Sequence, residues 1–137
     1  MKSRIAVRDD LEGVDWEALD RALTDDHFNN GRTPEELRRS FENSYATAIV
    51  GGGGEVVATA RILADGVCNA WLVDVWTASA HRRRGLGSAM VRRLLERVPG
   101  HHMALFTEHR CEFYEGLGFE VEVTGMSKVA GSWLNRG

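Results

Sequence analysis

Apolar positions recur along this chain with two different periods, and the switches between them mark out the elements. Ile5 and Val7 alternate with polar neighbours, so residues 3–8 predict a first strand. Behind Asp15, a candidate N-cap, Trp16, Leu19, Ala22 and Leu23 recur at helical spacing. Residues 25–31 are polar and read as a loop. Thr33, Pro34 and Glu36 then form a helix start: Thr33 as N-cap, Pro34 as first helical residue, Glu36 as the reciprocal partner of a capping box. Leu37 and Phe41 share the buried face of that helix. From Tyr45 the period shortens. Residues 45–50 and 55–63 predict a hairpin with a flexible glycine tip at 51–54, and Asp65-Gly66 marks a second turn. Residues 69–76, with Leu72, Val73 and Val75, predict the next strand, so three antiparallel strands follow one another. Leu86, Met90, Leu94 and Val98 then make one helical stripe over residues 86–98, widened by Val91 and Leu95. Arg92, Arg93, Glu96 and Arg97 face away from it, and Pro99-Gly100 stops it. Residues 103–106 predict a short buried strand and 112–117 a short helix ended by Gly118. Residues 119–123 predict a strand, and 126–130 one more. The order β-α-α-β-β-β-α-β-α-β describes an α/β (mixed α+β) domain with a mixed, mostly antiparallel sheet and helices on both faces.

Composition adds bounds to this pattern. The 137 residues suit a single domain, 1–137, with one core. The 43% hydrophobic and 27% charged fractions are those of an ordinary globular protein. No apolar run is long enough to span a bilayer, and residues 1–4 do not lead into a signal peptide's apolar stretch, so a cytoplasmic location with no membrane partner is expected. Cys68 and Cys111 lack metal-ligand spacing, His101-His102 has no second ligand pair, and no metal is expected. A net charge of −3 argues against a dedicated nucleic-acid binder. It still permits a local basic patch, formed by Arg82, Arg83, Arg84, Arg92, Arg93 and Arg97. The glycines at 51–54 lack the Lys-Ser/Thr and the helix of a phosphate loop.

The segment between the 69–76 strand and the next helix carries candidate chemistry. Gly85 and Gly87 have no side chains, so backbone N–H groups there can approach a ligand closely. They lie at a predicted helix N-terminus, where unpaired N–H groups and the positive end of the helix dipole favour an anion. Ser88 can add a hydroxyl, and Arg82, Arg83 and Arg84 add charge. A pyrophosphate fits such a turn; a tight connection with solvated arginines is the plainer reading of the same residues.

Residues 75–87, read as Val75-Trp76-Thr77-Ala78-Ser79-Ala80-His81-Arg82-Arg83-Arg84-Gly85-Leu86-Gly87, resemble the acetyl-CoA motif of the GNAT superfamily. That motif is Q/R-x-x-G-x-G/A after a strand, here Arg82-x-x-Gly85-x-Gly87. Phe113-Tyr114-Glu115-Gly116-Leu117-Gly118-Phe119 resembles the family's second landmark, F-Y-x-x-x-G-F. The order of elements is similar along nearly the whole chain. The resemblance implies an N-acetyltransferase that moves an acetyl group from acetyl-CoA directly to a primary amine, on a small molecule or a peptide. It implies that backbone groups of Val75, Trp76 and Thr77 hold the pantetheine arm where parallel strands splay. Backbone N–H groups from Arg83 through Gly85, Leu86 and Gly87 to Ser88 would hold the pyrophosphate, with Arg82 and Arg84 as charge support. Ser79 stands where the family often has proline, and Thr107 where a CoA-contacting asparagine is common.

Transfer from a thioester to an amine needs a neutral amine, a polarised carbonyl and a stabilised leaving sulfur. A free thiol has a pKa of about 8.5, so an acid near the sulfur assists its departure. Tyr114 matches the family's acid, although an amphipathic tyrosine beside Phe113 also suits a core. Carbonyl polarisation is expected from a backbone N–H of the 69–76 strand near Trp76. Trp71 stands where some members carry a glutamate base. Asp74 is the nearest carboxylate, and in an apolar strand it is costly unless paired or working. Arg61 on the preceding strand is its possible partner, so a catalytic Asp74, an Arg61–Asp74 pair and a water chain all stay open. The acceptor site is expected from the two N-terminal helices, their connecting loop and the last strands, with Asp26, His27 and Arg61 as candidates. Monomer and homodimer are both compatible with the sequence. A non-catalytic acyl-CoA-binding or regulatory module on the same fold is the alternative.

Overall fold

The computed structural model describes residues 5–52, 54–122 and 124–137, which form two compact units divided between Leu105 and Phe106. In the first unit, helix α1 (Trp16–Asp25) is capped by Asp15, whose side chain accepts from the Ala18 N–H. Helix α2 (Pro34–Glu42) begins with the expected capping box. The Glu36 N–H donates to Thr33 Oγ1 at 3.1 Å, and the Thr33 N–H donates to Glu36 Oε1 at 2.8 Å. These caps satisfy N–H groups that the helices themselves leave unpaired.

Among the described residues five strands follow the sheet order β1-β2-β3-β4-β5: β1 (Val7–Arg8), β2 (Ala46–Gly52), β3 (Glu55–Ala64), β4 (Asn69–Thr77) and β5 (His102–Ala104). All pairs are antiparallel except β4 with β5. Residues 3 and 4 of the first predicted strand lie outside the described residues. The β2–β3 hairpin is tighter than a glycine tip suggests. Gly51 and Gly52 belong to the ladder, opposite Val56 and Glu55, with a bulge between Val50 and Gly51. Glycine is required at 51: φ is 141°, and a Cβ there would meet Glu55 O at 2.1 Å.

The pleat sends alternate residues to opposite faces. Ile49 and Trp76 pack with Leu19, Leu23, Leu37, Phe41 and Val56 beneath α1 and α2. Ala46, Ala48, Ala58, Ala60 and Ile62 point the other way and are buried. Helix α3 (Leu86–Leu95), which packs on β2 and β3, buries Leu86, Met90, Val91 and Leu94. Each such side chain contributes roughly 1.5–3 kcal/mol of burial. The alanines matter here because small side chains let a helix lie close to a sheet. Helix α3 is shorter than its apolar stripe predicts. After Leu95 the Arg97 and Val98 N–H groups donate to Leu94 and Leu95 carbonyls, tightening the chain into i→i−3 turns. Val98 remains buried, while Leu95 is half-buried.

Three strand expectations need correction. Residues 103–106 predict a buried strand; the observed β5 spans His102–Ala104, and only Met103 is even half-buried. Residues 119–123 and 126–130 form no strand among the described residues, and Val123 lies outside them. Alternation of Phe119, Glu120, Val121 and Glu122 supplies two faces but not the hydrogen-bonding neighbour that defines a strand. In the second unit, helix α4 (Cys111–Glu115) starts one residue before the predicted 112–117 and stops two residues short of it, with Gly116 as its C-cap; Gly118 follows at φ 94°. No described helix is long and apolar enough to cross a membrane.

Candidate functional site

Strand β4 carries an irregularity where the sequence places its one carboxylate. Thr59 pairs with Trp76 and Arg61 with Val73, so Asp74 and Val75 together oppose Ala60. This is a β-bulge, and Asp74 takes the left-handed conformation at φ 53°. Asp is among the few non-glycine residues that tolerate that region. Asp74 is held on every side. Arg32 grips its carboxylate with both terminal nitrogens, at 3.0 and 3.1 Å, and Arg61 Nε donates to it at 2.6 Å. The Thr59 hydroxyl donates to the Asp74 carbonyl at 2.9 Å. Arg61 also donates to the Ser40 carbonyl and lies over the Phe41 ring. All three charged side chains are at most 13% exposed. Burial pushes the Asp74 carboxyl up, but the Arg32 and Arg61 guanidiniums outweigh it and hold it below the usual carboxylate range.

Beyond the bulge, β4 has an edge free of β5. The β4–β5 ladder covers only Asn69–His102, Ala70–Met103 and Trp71–Ala104. The Ala78 N–H donates to the Val57 carbonyl, so the Trp76 and Ala78 amides face β3. By the alternation of an extended strand, the Thr77 amide, past the bulge, faces the opposite edge. The Trp76 side chain is buried, and its Nε1–H donates to Asp26 Oδ2 at 2.9 Å. Ser79 Oγ donates to the other Asp26 oxygen at 2.9 Å. The Trp76 hydrogen bond, then Ser79 and the nearby Arg82, hold the Asp26 carboxyl below its ordinary value. Asp26, at the end of α1, therefore ties the α1–α2 loop to β4.

The turn before α3 has the backbone that its glycines predict. Arg83 (φ 64°) and Gly85 (φ 79°) both sit in the left-handed region, with Arg84 between them, and Gly85 is the N-cap of α3. No side chain caps this helix start. Left-handed residues within a turn curl successive N–H groups into a concavity suited to an anion, and the helix dipole adds to it. Arg83 and Arg84 are exposed, whereas Arg82 Nε donates to the Thr77 carbonyl at 3.1 Å. Leu86 is buried, so it presents only backbone to the turn; Gly87 and Ser88 are half-buried. A Cβ on Gly85 would find Ile5 Cδ1 at an ordinary 3.7 Å, so its substitution is a conformational matter. Gly85→Ala is expected to cost about 1 kcal/mol of stability. Urea denaturation checks this, and an unchanged midpoint would mean that the turn needs no glycine.

The candidates divide into separate groups. The structure brings Asp26, Trp76, Ser79 and Arg82 together, and Asp74, Arg61 and Arg32 together. His27 is exposed, with φ 57°. Tyr114 and Thr107 belong to the second unit. Tyr114 stacks edge-to-face with Phe113 at 4.9 Å and with Phe119 at 5.7 Å, and burial raises its phenol pKa. Thr107 Oγ1 accepts from the Arg110 N–H ahead of α4. Arg32 and Thr59 are the residues whose part in the bulge the sequence leaves unmarked. Arg32 reads as one polar loop residue among several. Thr59 carries a weak signal, a polar side chain within a strand that is otherwise mostly apolar. Among the described residues no group of three or more His, Cys, Asp or Glu is placed to hold a metal ion.

Comparison with known proteins gives this geometry a family. The sequence profile of the acetyltransferase (GNAT) family matches residues 15–119. The chain is 34% identical over 133 residues to chloroplastic serotonin N-acetyltransferase 2 of Oryza sativa subsp. japonica, covering 91% of this chain and 66% of that protein, just under two thirds of its length. A structure from Deinococcus radiodurans R1, assigned as an acetyltransferase, superimposes with a TM-score of 0.80 at 26% identity, covering 93% of each chain. Glucosamine-6-phosphate N-acetyltransferase of Arabidopsis thaliana has the same fold, with a TM-score of 0.72 at 19% identity over 93% of this chain and 99% of that one. A mostly antiparallel sheet whose one parallel pair parts early, a glycine turn opening α3, and a profile match across most of the chain agree: the protein belongs to the GNAT acetyltransferase family.

Proposed function

We propose that the protein is an N-acetyltransferase that moves the acetyl group of acetyl-CoA directly to a primary amine. The observation that carries this reading is the early end of the β4–β5 ladder beside an uncapped α3 with left-handed residues at Arg83 and Gly85. An extended pantetheine amide chain can pair with backbone groups at the Val75–Thr77 edge, and a pyrophosphate suits the N–H groups from Arg83 to Ser88. Arg82, Arg83 and Arg84 supply charge around it. Thr107, already accepting from Arg110, is a weaker candidate for CoA contact than the backbone of β4.

In the reaction the amine lone pair attacks the thioester carbonyl carbon. A C–N bond forms, the C–S bond breaks, and the products are the N-acetyl amide and coenzyme A. The Val75 N–H, within the bulge, polarises the carbonyl oxygen. Tyr114 donates a proton to the departing sulfur; its raised pKa keeps the phenol protonated at neutral pH. Asp74 is a poor base while two guanidiniums hold its carboxylate, so we assign removal of the amine proton to water. Asp26 and Arg61 are engaged with protein partners, which leaves His27 as the most accessible of the acceptor-side candidates. The rice relative's name makes serotonin the first acceptor to test.

The test is thiol release from acetyl-CoA with serotonin, polyamines, amino acids, aminoglycosides and lysine-containing peptides. Amine-dependent thiol release with at least one of them is expected. Coenzyme A binding without thiol release for any amine would instead favour a non-catalytic acyl-CoA-binding module.

A further inference from the structure

The Asp74–Val75 peptide is held more firmly than the ladder requires. Its carbonyl accepts from Thr59 Oγ1, and the side chain of the same residue is fixed by Arg32 and Arg61. No cis peptide occurs among the described residues, so the Val75 N–H points opposite to that carbonyl, away from Thr59. A left-handed Asp within a strand persists only where its surroundings over-determine it. Arg61 has other duties, binding Ser40 and packing on Phe41. Arg32 comes from the α1–α2 connection, 42 residues away in sequence. Its Nε is anchored on the Asn29 carbonyl, and its two remaining nitrogens both go to Asp74. A bidentate fork fixes the plane of a carboxylate as well as its position.

We infer that Arg32 is a positioning residue: acting through Asp74, it aims the Val75 N–H at the thioester carbonyl. The inference rests on the acetyl-transfer reading above, and it names a residue from the α1–α2 loop as part of the donor machinery. Lysine at position 32 would keep the charge but lose the fork. Asparagine at position 74 would keep the shape but break the fork from the other side.

The experiment is isotope-edited infrared spectroscopy of acetyl-CoA, 13C-labelled at the acetyl carbonyl, bound to the intact protein. In the wild type the carbonyl band is expected below its position in free acetyl-CoA, because a hydrogen bond weakens the C=O bond. In Arg32→Lys and in Asp74→Asn the band should move back toward the free position. The double variant should move it no further than either single one, since both act on one interaction. In parallel, kcat should fall about 10-fold in Arg32→Lys with KM for acetyl-CoA little changed, as expected of a misaimed donor. A wild-type band position retained in Arg32→Lys would overturn the inference and leave the acetyl-transfer reading standing. Additive shifts in the double variant would also overturn it. An unshifted band in the wild type would instead remove the Val75 donor itself. If Arg32→Lys does not fold, Asp74→Asn carries the same measurement, and an unmoved band there counts against the inference equally.

Discussion

Tyr114→Phe is expected to lower kcat by about 100-fold or more while coenzyme A binding is retained, the size of effect that a positioned general acid supplies. The substitution removes one oxygen and keeps the ring, so the edge-to-face contacts with Phe113 and Phe119 survive. A loss confined to kcat therefore reads the hydroxyl and not the packing. The pH dependence follows from the direction of the shift. Burial raises the phenol pKa, so Tyr114 stays protonated through neutral pH and loses its proton only as pH rises through that raised value. The wild type should show an alkaline fall in kcat that the variant lacks. Turnover at the wild-type rate in Tyr114→Phe would remove Tyr114 from the chemistry.

Asp74→Ala is expected to destabilise the fold by about 3–5 kcal/mol, because it leaves Arg32 and Arg61 buried beside each other without their shared carboxylate. The cost comes from uncompensated buried charge, and it exceeds what the intact cluster adds over an apolar one. Linkage supplies a second signature. The folded-state pKa of Asp74 is lowered, so its stabilisation is fully present above the unfolded value of about 3.9 and is lost as pH falls through the folded value. Urea denaturation should therefore show a wide gap between wild type and Asp74→Ala at neutral pH, narrowing in strong acid. Equal stability at neutral pH would mean that the two arginines find other partners.

The local elements were legible wherever one short-range rule governs. Asp15 and the Thr33–Glu36 capping box act within a single helical turn, so three or four residues contain all the information. Gly85 is similar: the turn demands a left-handed residue, and glycine advertises it. The last predicted strands failed for the complementary reason. Glu120 and Val121 alternate correctly, but a ladder needs a partner that no local pattern specifies. The Arg61–Asp74 pair could be suspected because antiparallel neighbours lie close in sequence. The grip of Arg32 on the same carboxylate could not, because it depends on where the α1–α2 loop falls across the sheet.

By itself the sequence determined the order of the elements as far as α4, the apolar stripes that bury α1, α2 and α3, and the glycine turn with its arginines. Each is written in the spacing of residues within one element or between its immediate neighbours. Only the tertiary structure decided that Asp74 sits in a left-handed bulge between two guanidiniums, that Asp26 joins the first helix to Trp76, and that β4 leaves β5 after Trp71. These are consequences of packing: they arise when side chains from distant segments compete for the same buried space and the same hydrogen bonds.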